Sequence, residues 1–232
     1  MYNKKRSIQG QKWILAGTQS PWAVGLAEKL LDAGVQLLAF STSEMEERQF
    51  RTKIGAWGDQ LICLHGELYA PQAQEELRNH VLEAWSYADG LIFPGFLPEN
   101  IGPFKALTQE TWLNVFEKTL NFPGRMHRCF LPLLERSPEE AFLVQVGHTG
   151  FLEPMPNAAL YGMAAAAQHN LLLSLREEWK STHVYPFELM LSWQDLINTK
   201  DFKALGEEIG LKILNLVHSP SSRVATGSML LT

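Results

Sequence analysis

No run of about 18 apolar residues occurs in this 232-residue chain, so no membrane-spanning helix is expected. The N-terminal segment also lacks an apolar stretch followed by a cleavage site, which makes a reducing cytoplasm the expected compartment. Cysteine is scarce. The two present, Cys63 and Cys129, sit in apolar runs without C-x-x-C or metal-ligand spacing, which argues against a disulfide framework and against a bound metal. Positive charge is scarce as well: 20 Lys and Arg face 25 Asp and Glu, for a net charge of -5. The one basic cluster is Lys4-Lys5-Arg6 at the start of the chain. Binding a phosphate backbone needs clustered cations, so nucleic acid is not an expected partner. Internal repeats, low-complexity tracts and linkers are missing too.

Apolar residues make up 46% and charged residues 19% of the chain, enough for a sizeable core. The length suits one domain over residues 1–232. KWILAG, from Lys12, reads as a buried strand ending at Gly17. In VGLAEKLLDAG the apolar residues Val24, Leu26, Ala27, Leu30 and Leu31 recur at helical spacing, and Gly34 marks the stop. A second strand spans Val35 to Phe40, followed by the capping-prone Ser41-Thr42-Ser43-Glu44. The alternation continues with strands near 60–64, 90–93, 141–146, 185–191 and 228–231, and helices near 71–85, 108–135, 157–179 and 201–217. Continuous apolar strands separated by helices predict a doubly wound α/β fold, with a parallel sheet of about seven strands covered on both faces.

In such a fold, ligands bind beyond the carboxyl ends of the strands, and the first strand-to-helix turn is the natural phosphate site. Here that turn is Gly17-Thr-Gln-Ser-Pro-Trp-Ala23. Gly17 permits close backbone approach, whereas Pro21 brings no N–H and Ala23 adds a methyl group where the helix packs. Ser41 and Thr42 follow the second strand, where an acidic residue would select NAD or an arginine NADP.

The order of these segments resembles the short-chain dehydrogenase/reductase family from about Ser7 to Thr232. AGTQSPWAVGLAEKLLDAG is similar to its glycine-rich turn, and His65-Gly66-Glu67-Leu68 to the segment whose acidic residue lies near the adenine. Phe93-Pro94-Gly95-Phe96 stands where the family has Asn-Asn-Ala-Gly. PFKALTQETWLNVFEKTL resembles its fourth helix, with Thr119 in the place of the catalytic asparagine. FLVQVGHTGFLEPMPNAALYGMAAAA resembles the fifth strand and active-site helix, with Tyr161 on the catalytic tyrosine, His148 on the serine and Ala165 on the lysine. LMLSWQ lacks the family's Pro-Gly turn, and ATGSMLLT from Ala225 resembles its last strand.

The resemblance implies NAD or NADP as cofactor, with Gly17, Ser20, Trp22, Ser41 and Glu67 as the cofactor-binding positions. It also implies that this binding is weakened or lost. In the family's reaction the tyrosine exchanges a proton at the carbonyl oxygen, the lysine lowers the tyrosine pKa, and the asparagine holds a relay water. A free tyrosine titrates near about 10, and Ala165 supplies no charge to lower it. His148 offers a replacement relay in one reading and a loop cap in the other. His169 is expected against a neighbouring helix or a subunit interface. Phe93, Phe96, Phe151, Met155, Tyr161 and Trp193 are expected either to line an apolar small-molecule pocket or to close the core.

Ala164 to Ala167 favours helix and lets a neighbouring helix approach closely. By resemblance, this helix and the preceding long one form a homodimer or homotetramer interface, or dock an active relative as hetero-partner. Three functions are therefore open: non-redox acid/base chemistry on a small molecule at Tyr161 and His148; an unusual NAD(P)-dependent oxidoreductase; and a non-catalytic subunit or ligand-binding pseudoenzyme.

Overall fold

The computed structural model describes residues 7–67, 70–99, 101–153, 155–218 and 228–231. The Lys4-Lys5-Arg6 cluster and residues 219–227 lie outside them. Among the described residues seven strands form one parallel sheet in the order β3-β2-β1-β4-β5-β6-β7. They are β1 (Lys12–Ala16), β2 (Gln36–Ser41), β3 (Leu61–His65), β4 (Gly90–Phe93), β5 (Ala141–His148), β6 (Val184–Leu191) and β7 (Ser228–Leu231). The order reverses between β1 and β4, which pair through Trp13↔Gly90, Ile14↔Leu91 and Leu15↔Ile92. A crevice opens at that point, beyond the carboxyl ends of both strands.

Successive side chains of a strand point to opposite faces, so the unbroken apolar runs feed two cores. Trp13, Leu15, Leu37, Phe142 and Val144 pack under α1 (Ala23–Asp32), α2 (Glu44–Ile54) and α8 (Phe202–His218). Ile14, Leu38, Phe40, Leu91 and Leu143 pack on the other face. There they meet α3 (Pro71–Ala84), α5 (Phe122–Leu134) and α6 (Ala159–Trp179). Among the described residues no helix is long and apolar enough to cross a membrane.

Two segments differ from the sequence reading. The stretch after β2 is α2, a full helix. Its Ser43 accepts from the Glu46 N–H, and Arg48–Glu44 and Arg51–Glu47 pairs brace its surface at 2.6 Å. Such a polar helix has little apolar periodicity to reveal it; the cap and the i,i+4 charges were the available signal. The helix expected over 108–135 is in fact α4 (Gln109–Phe116), one π-turn (Glu117–Asn121) and α5. A π-turn inserts one residue into the helix and rotates every later turn about the axis. The short α7 (Trp193–Asn198) occupies the segment after β6.

The tightest helix contact is between α1 and α8, where Gly25 lies against the Lys203 carbonyl and Gly206 against the Trp22 carbonyl and Leu26 N–H. A methyl group at either glycine would collide with backbone, which cannot swing aside as a side chain can. Gly206→Ala is expected to lower stability by about 1–3 kcal/mol, read as an earlier urea midpoint. An unchanged midpoint would show that the crossing is not tight.

Candidate functional site

Gly17 holds φ at 120°, a conformation that L side chains rarely adopt, and so turns the chain sharply out of β1. Several donors of this turn are already engaged. Gly17 and Thr18 N–H groups both donate to the Phe40 carbonyl, at 3.0 and 3.2 Å, and Ala23 N–H donates to the Ser20 carbonyl at 3.0 Å. Pro21 has no N–H at all. The Thr18 and Ser41 hydroxyls share a 2.5 Å hydrogen bond and both are buried. Ser41 thus stitches β2 to the turn rather than facing the crevice. Ser20 is also buried, and its hydroxyl has no partner among the described residues.

Trp22 fills the crevice. Its side chain is 1% exposed, its indole N–H donates to the Pro94 carbonyl at 2.6 Å, and its ring lies 6.4 Å from that of Phe202. Between Trp22, Phe93, His148, Tyr161, Ala165 and Gln168 only about 20 Å³ is left. That holds roughly one water molecule.

The three residues expected to be catalytic all border this remnant, and each is engaged elsewhere. The Tyr161 hydroxyl donates to the Glu99 carbonyl at 2.6 Å and accepts from the Glu99 N–H at 2.8 Å. Burial pushes its pKa up, partly offset by the bond from that N–H. His148 accepts from the Gly150 N–H through Nδ1 at 3.1 Å, capping the turn after β5, and its ring lies 5.1 Å from Trp193. Burial pulls its pKa down to about 4, so it is uncharged at neutral pH. A neutral imidazole in this place caps the loop through Nδ1 and adds no positive charge beside the phenol. Thr119 lies in the π-turn; its hydroxyl donates to the Val115 carbonyl at 2.6 Å, and its own carbonyl accepts from the Gln168 amide.

The aromatic set does not form one pocket. Phe93 and Phe96 meet edge to face at 5.4 Å and join Phe122, while Trp193 caps His148 and Tyr161. Phe151 instead stacks on His169 at 4.4 Å, and Met155 packs beside Val115 and Tyr161. His169 bonds to the buried Glu188 of β6 at 2.6 Å, so it faces the sheet and not a neighbouring subunit. Among the described residues no group of three or more His, Cys, Asp or Glu could hold a metal ion.

A sequence profile described as short chain dehydrogenase matches residues 13–189. The chain belongs to the short-chain dehydrogenase family. No curated protein matches it. Solved structures do, and they share its fold at low identity. Serine dehydrogenase from Escherichia coli superposes with a TM-score of 0.80 at 15% identity, covering 95% of this chain and 97% of that one. A metagenomic short-chain oxidoreductase in complex with NADP gives 0.79 at 18%, covering 97% and 98%. A short-chain dehydrogenase from Pseudomonas syringae gives 0.77 at 19%, covering 98% and 96%.

A larger space lies further out. A cavity of about 540 Å³ is walled by Pro21, Phe96, Leu97 and Phe122, with Glu46, Glu67, Glu99, Glu117, Lys118 and Arg125 around them. Glu67, expected near an adenine, is exposed at this wall. Lys118 pairs with Glu99 at 3.0 Å, and Arg125 pairs with Glu117. Since Tyr161 clasps the Glu99 backbone, it positions this wall. The sequence reading missed Glu99, Lys118, Arg125 and Gln168. Gln168 alone left a trace, a polar residue seven places after Tyr161 on the same buried helix face.

Two buried imidazoles make a pH signature. His127 on α5 has both ring nitrogens buried without a partner among the described residues, and burial pulls its pKa to about 4, as for His148. Their ordinary value is 6.5, so between the two pH values the unfolded chain takes up protons that the folded chain refuses. Stability then falls as pH drops through that window, by about 1.4 kcal/mol per pH unit per histidine. His127→Leu should remove about half of that slope in urea titrations run from neutral pH downward. An unaltered slope would count against the assignment.

Proposed function

We propose that this member of the short-chain dehydrogenase family is a cytoplasmic small-molecule-binding protein that does not carry out nicotinamide-dependent hydride transfer. The observation that carries the reading is Trp22, whose indole occupies the crevice at the β1/β4 switch point and leaves about 20 Å³ beside Tyr161. A nicotinamide dinucleotide does not fit the residues present. Gly17, Thr18 and Ala23 spend their N–H groups within the chain, Pro21 has none to offer, and Ser41 is bonded to Thr18. Acid/base chemistry at Tyr161 and His148 is disfavoured on the same grounds, since both phenol bonds go to Glu99 and the imidazole is uncharged. The two free, buried thiols suit a reducing compartment. Millimolar NADH or NADPH should leave the melting temperature unchanged, because a ligand stabilises only the state it binds. A clear rise with either nucleotide would overturn the reading.

Self-association through α4 and α6 is supported by their surface. Leu113, Met163, Leu171 and Leu173 are 59%, 47%, 41% and 42% exposed, interleaved on α6 with the small Ala166 and Ala167. Small residues between apolar ones admit a second helix closely. A homodimer accounts for this face most simply, with an active relative as the other candidate. Light scattering is expected to give a dimer mass, and Leu171→Glu a monomer. A monomeric parent protein would refute the proposal.

A further inference from the structure

The 540 Å³ cavity has the size of a small-molecule site, and its walls are electrostatically one-sided. Four carboxylates, those of Glu46, Glu67, Glu99 and Glu117, face two cations, Lys118 and Arg125. Both cations are already committed, Lys118 to Glu99 and Arg125 to Glu117. Two carboxylates remain. Glu46 is held in place by the Thr42 N–H and hydroxyl, at 2.9 and 2.6 Å, and Glu67 forms no ion pair with any described residue. In the neighbouring turn the N–H groups of Gly17, Thr18 and Ala23 bond within the chain and Pro21 has none, which leaves fewer of the anion-attracting donors usual at such a strand end to offset this charge. The cavity wall also carries the rings of Phe96 and Phe122, 6.1 Å apart.

We infer that this cavity binds a protonated aromatic amine, the ring packing on Phe96 and Phe122 and the ammonium group facing Glu46 and Glu67. This rests on the reading above, because Pro21, Thr42 and Glu67, which the resemblance places beside a dinucleotide, line the same cavity, and the amine takes that ligand's place there. The apolar floor supplies affinity that any aromatic ring can draw on, while the carboxylates of Glu46 and Glu67 separate cation from anion. Opposite charges attract and like charges repel with comparable strength, so the sign of the ligand decides the ranking.

Three isosteric probes test this by isothermal titration calorimetry at low ionic strength: tryptamine (cation), tryptophol (neutral) and indole-3-acetate (anion). Tryptamine is expected to bind about tenfold more tightly than tryptophol, with indole-3-acetate weaker still, and its advantage should shrink as salt is raised. Glu67→Gln, at an exposed position with no ion pair to lose, should reduce tryptamine affinity about threefold to tenfold and leave tryptophol unchanged. Phe96→Ala should weaken tryptamine and tryptophol alike. Equal affinities for tryptamine and tryptophol, a preference for indole-3-acetate, or no binding of any probe would overturn the inference. NADPH in the same calorimeter separates the two failures: heat from NADPH would refute the closed crevice, whereas silence from both NADPH and tryptamine would refute the amine site alone.

Discussion

The packing of one indole ring at the switch point of the sheet governs the rest of this structure. Trp22 is the residue that caps α1, so its backbone is pinned where Gly206 of α8 presses on its carbonyl. Its side chain reaches across to the Pro94 carbonyl at the end of β4. Helix packing on one face of the sheet is thereby tied to the course of the loop after β4. That loop carries Glu99 into the grip of Tyr161, and Glu99 holds Lys118 on α4's continuation. A large side chain in a space that this fold usually leaves open thus becomes an anchor for elements from both halves of the chain.

The same packing divides the ligand region into two unlike compartments. The inner one is enclosed and nearly full. There a charged imidazole would be costly, which is why His148 stays neutral and serves the backbone. The outer one is open and sets four carboxylates against two cations. Tyr161 sits at the boundary, buried among Val115, Leu160 and Trp193 while its hydroxyl secures the outer wall.

The fold was legible in the sequence because it follows from local patterns: apolar runs of strand length, helical recurrence, and stops such as Gly34. Helix α2 was less so, since a helix that buries only Phe50 and Ile54 shows almost no apolar stripe. The positions of Tyr161, His148 and Thr119 around one space were legible too, through the family resemblance, but their bonding was not. Whether a phenol points at a ligand or at a loop carbonyl depends on where Glu99 lies, 62 residues away in sequence. Trp22 posed the same difficulty. Its place in the turn suggested contact with a cofactor, and only the approach of Pro94 and Phe202 makes it a filler.

The π-turn at Glu117–Asn121 sets the angular phase between the two parts of one long helical rod. Upstream, Val115 is buried beside Tyr161; downstream, Phe122, Met126 and Phe130 are buried on the sheet. Because an α-helix advances about 100° per residue, the extra residue lets both parts bury apolar side chains while Glu117, Lys118 and Arg125 share one cavity wall. In evolutionary terms the ligand chemistry of that wall is coupled to helix phase. Losing a single residue there would exchange polar for apolar groups along half the rod, a change that no series of point substitutions reaches in one step.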